Sequence, residues 1–213
     1  MTQVVERSGS IDHDTRRYLD HFERFQAARD GQEPAWLSRI RTEAIARFGE
    51  LGFPTTRQEE WRFTSVAPIA ETSFDLAGPI LSVIGQPAGV RLEPLASLLA
   101  TSPEVVQPHL ARLASFANHP FIAWNTAFFQ DGVFVGIPSN LVVELPLEIV
   151  FTSPARQAPT VSHPRVVIVA GENSQVRIVE RYVGSSGPVY FTNAVTEVVV
   201  GPHAVIDHYK VQE

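Results

Sequence analysis

The apolar residues of this chain change period between His119 and Pro138. Before that stretch they recur at helical spacing. After it they come in short β-branched runs and near-alternation, the signature of strands. One layer of secondary structure cannot accommodate both patterns, so the sequence specifies helices first and sheet second. Within the stretch, Asp131-Gly132 is a turn signal ahead of Val133, Phe134, Val135 and Ile137.

Helical candidates follow in order. A first helix is expected from Asp12 or Asp14, with Tyr18, Leu19, Phe22, Phe25 and Gln26 at roughly helical spacing and Arg29-Asp30-Gly31 as its stop. Residues 1–11 read as a polar tail. A second helix is expected from Pro34, a favoured first-turn residue. Its stripe is Trp36, Leu37, Ile40, Ala44, Ile45 and Phe48, and Gly49 or Gly52 closes it. Thr55 or Thr56 can cap a short third helix, with Glu59 as the partner of Thr56 in a capping box. Residues 68–91 read as loops and short strands, with an apolar run at Ile80–Ile84, and Leu95–Ala100 and Val105–Phe116 as two more short helices.

After Gly132 the strand candidates are Val133–Ile137, Leu141–Glu144, Leu147–Phe151, Arg165–Ala170, Gln175–Val183, Val189–Val200 and Val205–Val211. Ser153–His163 is polar, holds two prolines and reads as a surface excursion. One internal repeat is visible. Residues 169–176 align with residues 199–206 at an offset of 30, each a β run reaching a glycine, turning and resuming. Recurring turns between short strands suit a β-solenoid or a sandwich. Tyr209–Glu213 has mid-strand character, so an interrupted protein and poor solubility of the piece are expected. The aromatic residues Phe121, Trp124, Phe128 and Phe129 are expected to plug the open core at the start of the sheet part.

Composition removes several function classes. The 213 residues suffice for one large domain or two small ones. At 44% hydrophobic and 19% charged they read as globular. No apolar run approaches the ~18–20 residues of a membrane span, and Met1–Ser10 lacks an apolar signal core, so a cytoplasmic protein is expected. Seventeen Lys+Arg against 23 Asp+Glu, with Lys210 the only lysine and the arginines scattered, argue against a nucleic-acid partner. With no cysteine there is no disulfide, no thiolate nucleophile and no thiolate ligand to zinc or a cluster.

Candidate chemistry is sparse. There is no phosphate-binding glycine loop and no nucleophile elbow, so Ser185 and Ser186 read as a flexible turn. Glu59 and Glu60, flanked by Arg57 and Arg62, diverge by about 100° on a helix and read as solvated ion pairs. His203, Asp207 and His208 have ligand chemistry, but on a strand only two of the three can converge. His119 and His163 each precede a proline, which suits rigid turns. His13, His21 and His109 carry no pattern. Glu180 and Glu197 interrupt apolar β runs and read as outward-facing charged positions.

Six stretches carry a resemblance: residues 54–64, 124–135, 161–165, 171–175, 190–201 and 208–212. In order and spread they are similar to the SufB/SufD family of the SUF iron–sulfur cluster assembly system, nearer its SufD branch. The resemblance implies an α+β fold, with a helical N-terminal domain over 1–117 followed by the first coils of a right-handed parallel β-helix over 118–213, truncated at roughly half the family's length. It implies a non-catalytic scaffold with SufB and the ATPase SufC as partners. It carries no catalytic, cofactor-binding or metal residue onto this chain, the cluster being assembled on the full complex. A β-solenoid enzyme of lyase or acyltransferase type, with Glu180, Glu197, Asp207 and a histidine converging in a pocket, and a stand-alone binding module are the alternatives.

Overall fold

A computed structural model describes residues 13–78, 80–85, 87–130, 132–153, 156–184, 186–187 and 189–213. The tail at 1–11, Asp12, Asp131 and Ser185 lie outside the described residues. Helix α1 (His13–Ala27) and helix α2 (Ala35–Leu51) fall where the spacing places them. Their stripes meet: Tyr18, Phe22 and Phe25 of α1 pack with Ala44, Ile45 and Phe48 of α2. Gly52 ends α2 at φ 64, a conformation that glycine adopts without steric cost.

The capping box at Thr56 does not form. Residues Glu59–Trp61 make a single 3-10 turn preceded by Gln58, with no side-chain cap. A short helix α3 (Ala67–Glu71) follows. Within the expected loops and short strands lie β1 (Asp75–Leu76) and β2 (Ile80–Ile84), the latter on the apolar run read as a strand, and β3 (Arg91–Pro94) follows. Helix α4 (Leu95–Thr101) is as read. The expected helix over Val105–Phe116 is not there; α5 covers only Pro103–Val106. Pro108 has no amide to give a helix, and the amides of residues 111–114 are bonded to a side chain instead.

Inside the pattern switch lies helix α6 (Pro120–Phe128), with proline at its start. Eight strands complete the chain: β4 (Gly132–Ile137), β5 (Leu147–Thr152), β6 (Thr160–Ser162), β7 (Arg165–Ala170), β8 (Gln175–Val183), β9 (Tyr190–Thr192), β10 (Val195–Val200) and β11 (Val205–Gln212). Two expectations change here. Leu141–Glu144 makes only one isolated bridge, Val142 to Gln175. The expected surface excursion at 153–163 contains the buried strand β6.

The strands form three sheets, ordered β1-β6-β9, β10-β7-β4-β3 and β11-β8-β5-β2. From β4 onward all pairing between these strands is parallel, and successive strands go to the three sheets in rotation. Gly132 pairs with Arg165, which pairs with Val195. Val169 pairs with Val199 and Val176 with Ile206, so the 30-residue repeat read in the sequence is a pairing register. The architecture is α+β, with helices first and mixed, largely parallel sheets after them.

Between the sheets lies one core: Val133, Val135 and Ile137 of β4, Leu147, Ile149 and Phe151 of β5, and their partners one round on, Val166, Ile168 and Ile178. At one end β1, β2 and β3 occupy the outermost place in all three sheets. Strands β2 and β3 are antiparallel to β5 and β4, and Leu81, Val83, Val90 and Leu92 pack on that core. These residues close it, which corrects the expected aromatic plug. Phe121, Trp124 and Phe128 pack instead with α1, α2, Val161 and Phe191, and Phe129 joins a third cluster with Leu37, Leu95, Leu98 and Val167. Trp124 stacks on Phe48 at 5.6 Å and on Phe191 at 5.9 Å, so α6 fastens the helices to the side of the sheets.

Candidate functional site

Among the described residues two carboxylates, Glu180 and Glu197, are buried; Glu180 faces inward, which corrects the expected outward-facing charge, whereas Glu197 faces outward as expected but is covered. Glu197 is on the outer face of β10, but that face is covered. Its register neighbours Val167 and Phe134 are apolar members of the cluster beneath α4 and α5. Its carboxylate meets the Arg165 guanidinium at 2.5 Å, both side chains being wholly buried. It also accepts backbone amides from Ala111 (2.8 Å), Arg112 (2.9 Å), Leu113 (2.8 Å) and Ala114 (3.1 Å). Burial alone would raise the Glu197 pKa. The Arg165 charge and the amide hydrogen bonds outweigh it and hold the carboxyl below its usual range.

Arg165 donates further to Asn125 Oδ1 at 3.0 Å and Thr126 Oγ1 at 3.2 Å. Asn125 in turn donates to the carbonyls of Pro164 and Asn193, at 3.0 and 2.7 Å. The polar face of α6 is thus pinned to two successive corners of the sheet stack. A buried pair of this kind adds little over an apolar replacement, but losing one partner costs about 3–5 kcal/mol.

Glu180 faces the opposite way, into the core, on the same side of β8 as Val176, Ile178 and Tyr182. It accepts from Tyr182 Oη at 2.6 Å and Thr196 Oγ1 at 2.8 Å, and meets His208 Nε2 at 2.7 Å and Lys210 Nζ at 3.6 Å. Burial would raise its pKa. The hydrogen bond to His208, the Lys210 charge, and the Tyr182 and Thr196 hydroxyls more than offset that, and the net direction is down. The Tyr182 phenol is pushed up by burial and then by the adjacent Glu180 charge. Each Glu180 oxygen already has donors, so this carboxylate is built to hold the second and third rounds together.

The remaining candidates are scattered. Asp207 is 3.9 Å from Arg177 at the surface, and His203 occupies a turn at φ 57. Only His208 of that trio reaches a carboxylate, and it is Glu180. No group of three or more His, Asp or Glu side chains suited to a metal occurs among the described residues. Glu59 and Glu60 are exposed, with Arg62 3.9 Å from Glu59. His119 precedes α6, as a rigid entry. His163 is buried beside Trp124 and Phe128.

Sequence reasoning missed Arg165, Asn125 and the amides of 111–114 as partners of Glu197. One signal was available. The 30-residue repeat sets Glu197 beside Val167, so an apolar neighbour on the same face marks that face as covered. No helix among the described residues is long and apolar enough to cross a membrane.

Comparison with known proteins matches the chain in two consecutive parts. Residues 12–82 and 82–149 match the SufBD protein N-terminal region. Residues 151–213 match the SufBD core domain of SUF-system FeS cluster assembly. An iron-sulfur cluster assembly SufBD family protein of Synechocystis is 26% identical over 88% of this chain and 50% of its own length. The iron-sulfur cluster assembly protein SufD of Bacillus subtilis is 24% identical over 83% of this chain and 48% of its own length. A chloroplastic SufBD family protein of Arabidopsis thaliana is 28% identical over 83% of this chain and 31% of its own length. The chain therefore spans half or less of these relatives. Its two parts match, in order, the two regions that define one family, and the chain belongs to the SufBD family.

Proposed function

We propose that this chain is part of a SufD-like scaffold subunit in iron–sulfur cluster assembly, working in the cytoplasm with SufB and the ATPase SufC and catalysing no reaction itself. The observation that carries this reading is the ordered match to both SufBD regions across residues 12–213. We further propose that the three sheets are the first coils of a right-handed parallel β-helix, with 1–117 as a mainly helical domain and 118–213 as the start of the core. The pairing offsets support it: Val169 to Val199, Gln175 to Val205 and Thr160 to Tyr190 are each 30 residues apart, and the preceding round is offset by 33 residues at Gly132 to Arg165 and by 31 at Leu147 to Ile178. Strands β2 and β3 belong to the first of these parts in sequence and pack on the core of the second. Without cysteine the chain offers no thiolate to a cluster, which is cargo of the whole complex in this reading.

The separate locations of Glu197, Glu180 and Asp207 weigh against the solenoid enzyme, because three groups with three different partners share no reaction centre. The test is co-expression with SufB and SufC. The longest reading frame containing these residues is expected to co-purify with both. The 213 residues alone are expected to leave SufC unbound. Tight capture of SufC by the 213 residues, or no co-purification of the longer frame, overturns the proposal.

A further inference from the structure

Residues 107–118 run over the outer face of β4, β7 and β10 with almost no regular structure of their own. Their internal backbone bonds are few. The amides of His109 and Leu110 reach Val106 O at 3.0 Å, and that of Ser115 reaches Leu113 O at 3.0 Å. Leu110 is buried in the cluster with Phe134 and Val167, whereas Leu113 is 58% exposed. At the far end the half-buried Arg47 side chain donates to Ala117 O at 2.5 Å. What holds the middle is one residue of another element. Four successive amides, 111 to 114, converge on the Glu197 carboxylate, which Arg165 anchors from beneath.

The geometry is that of a backbone anion nest. Successive amides can face one anion when a left-handed residue adjoins right-handed ones, and Ala111 stands at φ 56. A nest has no other partner for its amides once the anion goes. The four bonds are therefore made or lost together, a different behaviour from a helix that frays one bond at a time.

We propose that residues 107–118 form a strap that opens as a unit, and that Glu197 is its clasp, a positioning residue that ties this N-terminal segment to the third round of strands. Opening uncovers the apolar outer face at Phe134 and Val167 while leaving the helices and the sheet stack folded. The inference does not depend on the scaffold reading above.

Hydrogen exchange of the full chain tests it, together with trypsin cleavage after the exposed Arg112. In Glu197→Gln, where loss of the buried pair also lowers global stability, exchange at 111–114 and cleavage after Arg112 are expected to speed up at least tenfold more than exchange in α2 and β8 does; in Ala111→Pro, which keeps the pair, α2 and β8 are expected to stay within twofold of the parent. Ala111→Pro attacks the strap from its own side, removing one donor and forbidding the left-handed φ, and leaves the buried pair in place. It is expected to speed exchange at 112–114 and cleavage at Arg112 in the same way, even if Glu197→Gln does not fold. The proposal is overturned if 112–114 stay protected in Ala111→Pro. It is equally overturned if α2 and β8 lose protection in step with the strap, because Glu197 is then only a core residue.

Discussion

His163 has its imidazole enclosed by Trp124 at 4.9 Å and Phe128 at 5.9 Å, with Nδ1 3.2 Å from Asn193 Nδ2 and no hydrogen bond at Nε2 among the described residues. Burial pushes its pKa down to about 3. The unfolded chain therefore binds a proton near pH 6.5 that the folded chain refuses, and stability is full above that value and falls as pH drops toward 3. Over pH 6.5 to 4.5 the loss is about 2–3 kcal/mol from this group. His21, also lowered by burial, adds in the same direction. Urea melts at pH 7, 5.5 and 4.5 should show the slope, and His163→Phe, which fits the aromatic enclosure, should remove most of it; an unchanged slope would refute the assignment. Glu180 and Glu197 act in a lower window. Their folded pKa values are depressed, so their contribution is present above about 4.5 and is lost as pH falls through the folded values. In the sequence His163 was legible as a rigid turn before Pro164 but not as buried, because its aromatic neighbours are some 40 residues away.

At the level of elements, the turn after each of β4, β7 and β10 repeats. Asn140, Asn173 and His203 all sit at positive φ (64, 57 and 57) on successive rounds. The amide of Asn140 reaches Glu172 O and that of Asn173 reaches Pro202 O, both close to 2.8–2.9 Å, and the Asn173 side chain donates to Asn140 Oδ1 at 3.2 Å. Asparagine tolerates the left-handed region because its short side chain bonds locally. His203 is thus the third rung of a ladder whose first two rungs are asparagine. His203→Asn should extend the ladder and raise stability by up to about 1 kcal/mol, read as an upward shift of the thermal midpoint; a lower midpoint would count against the ladder. The repeat was legible at this level, as were α1, α2 and most strands, because each states its period within its own residues. The failed helix at 105–116 and the hidden strand β6 were not. One depends on Glu197, some 85 residues away, and the other on pairing with β1 and β9.

For the whole molecule the two ends of the sheet stack differ. Strands β1, β2 and β3 occupy one end, a non-local arrangement that no local pattern announces, so a cap was legible in the sequence but its residues were not. At the other end β9, β10 and β11 are outermost in their sheets. The Val205 amide already donates to Ser174 O and the Glu213 amide to Tyr182 O, which sets the odd-numbered amides of β11 toward β8 and the even-numbered ones outward. Val200, Val205 and Tyr209 stand exposed beside that edge. Unpaired backbone next to apolar side chains is a template for further strands. The 213 residues should therefore associate reversibly through this edge as concentration rises, seen as a growing mean mass in sedimentation velocity. Val205→Lys with Tyr209→Lys charges the edge and leaves Glu180, His208 and Lys210 in place, so the double variant should remain monomeric at the same concentration. A parent chain that stays monodisperse throughout, or a double variant that associates equally, would show that this edge is not the sticky one.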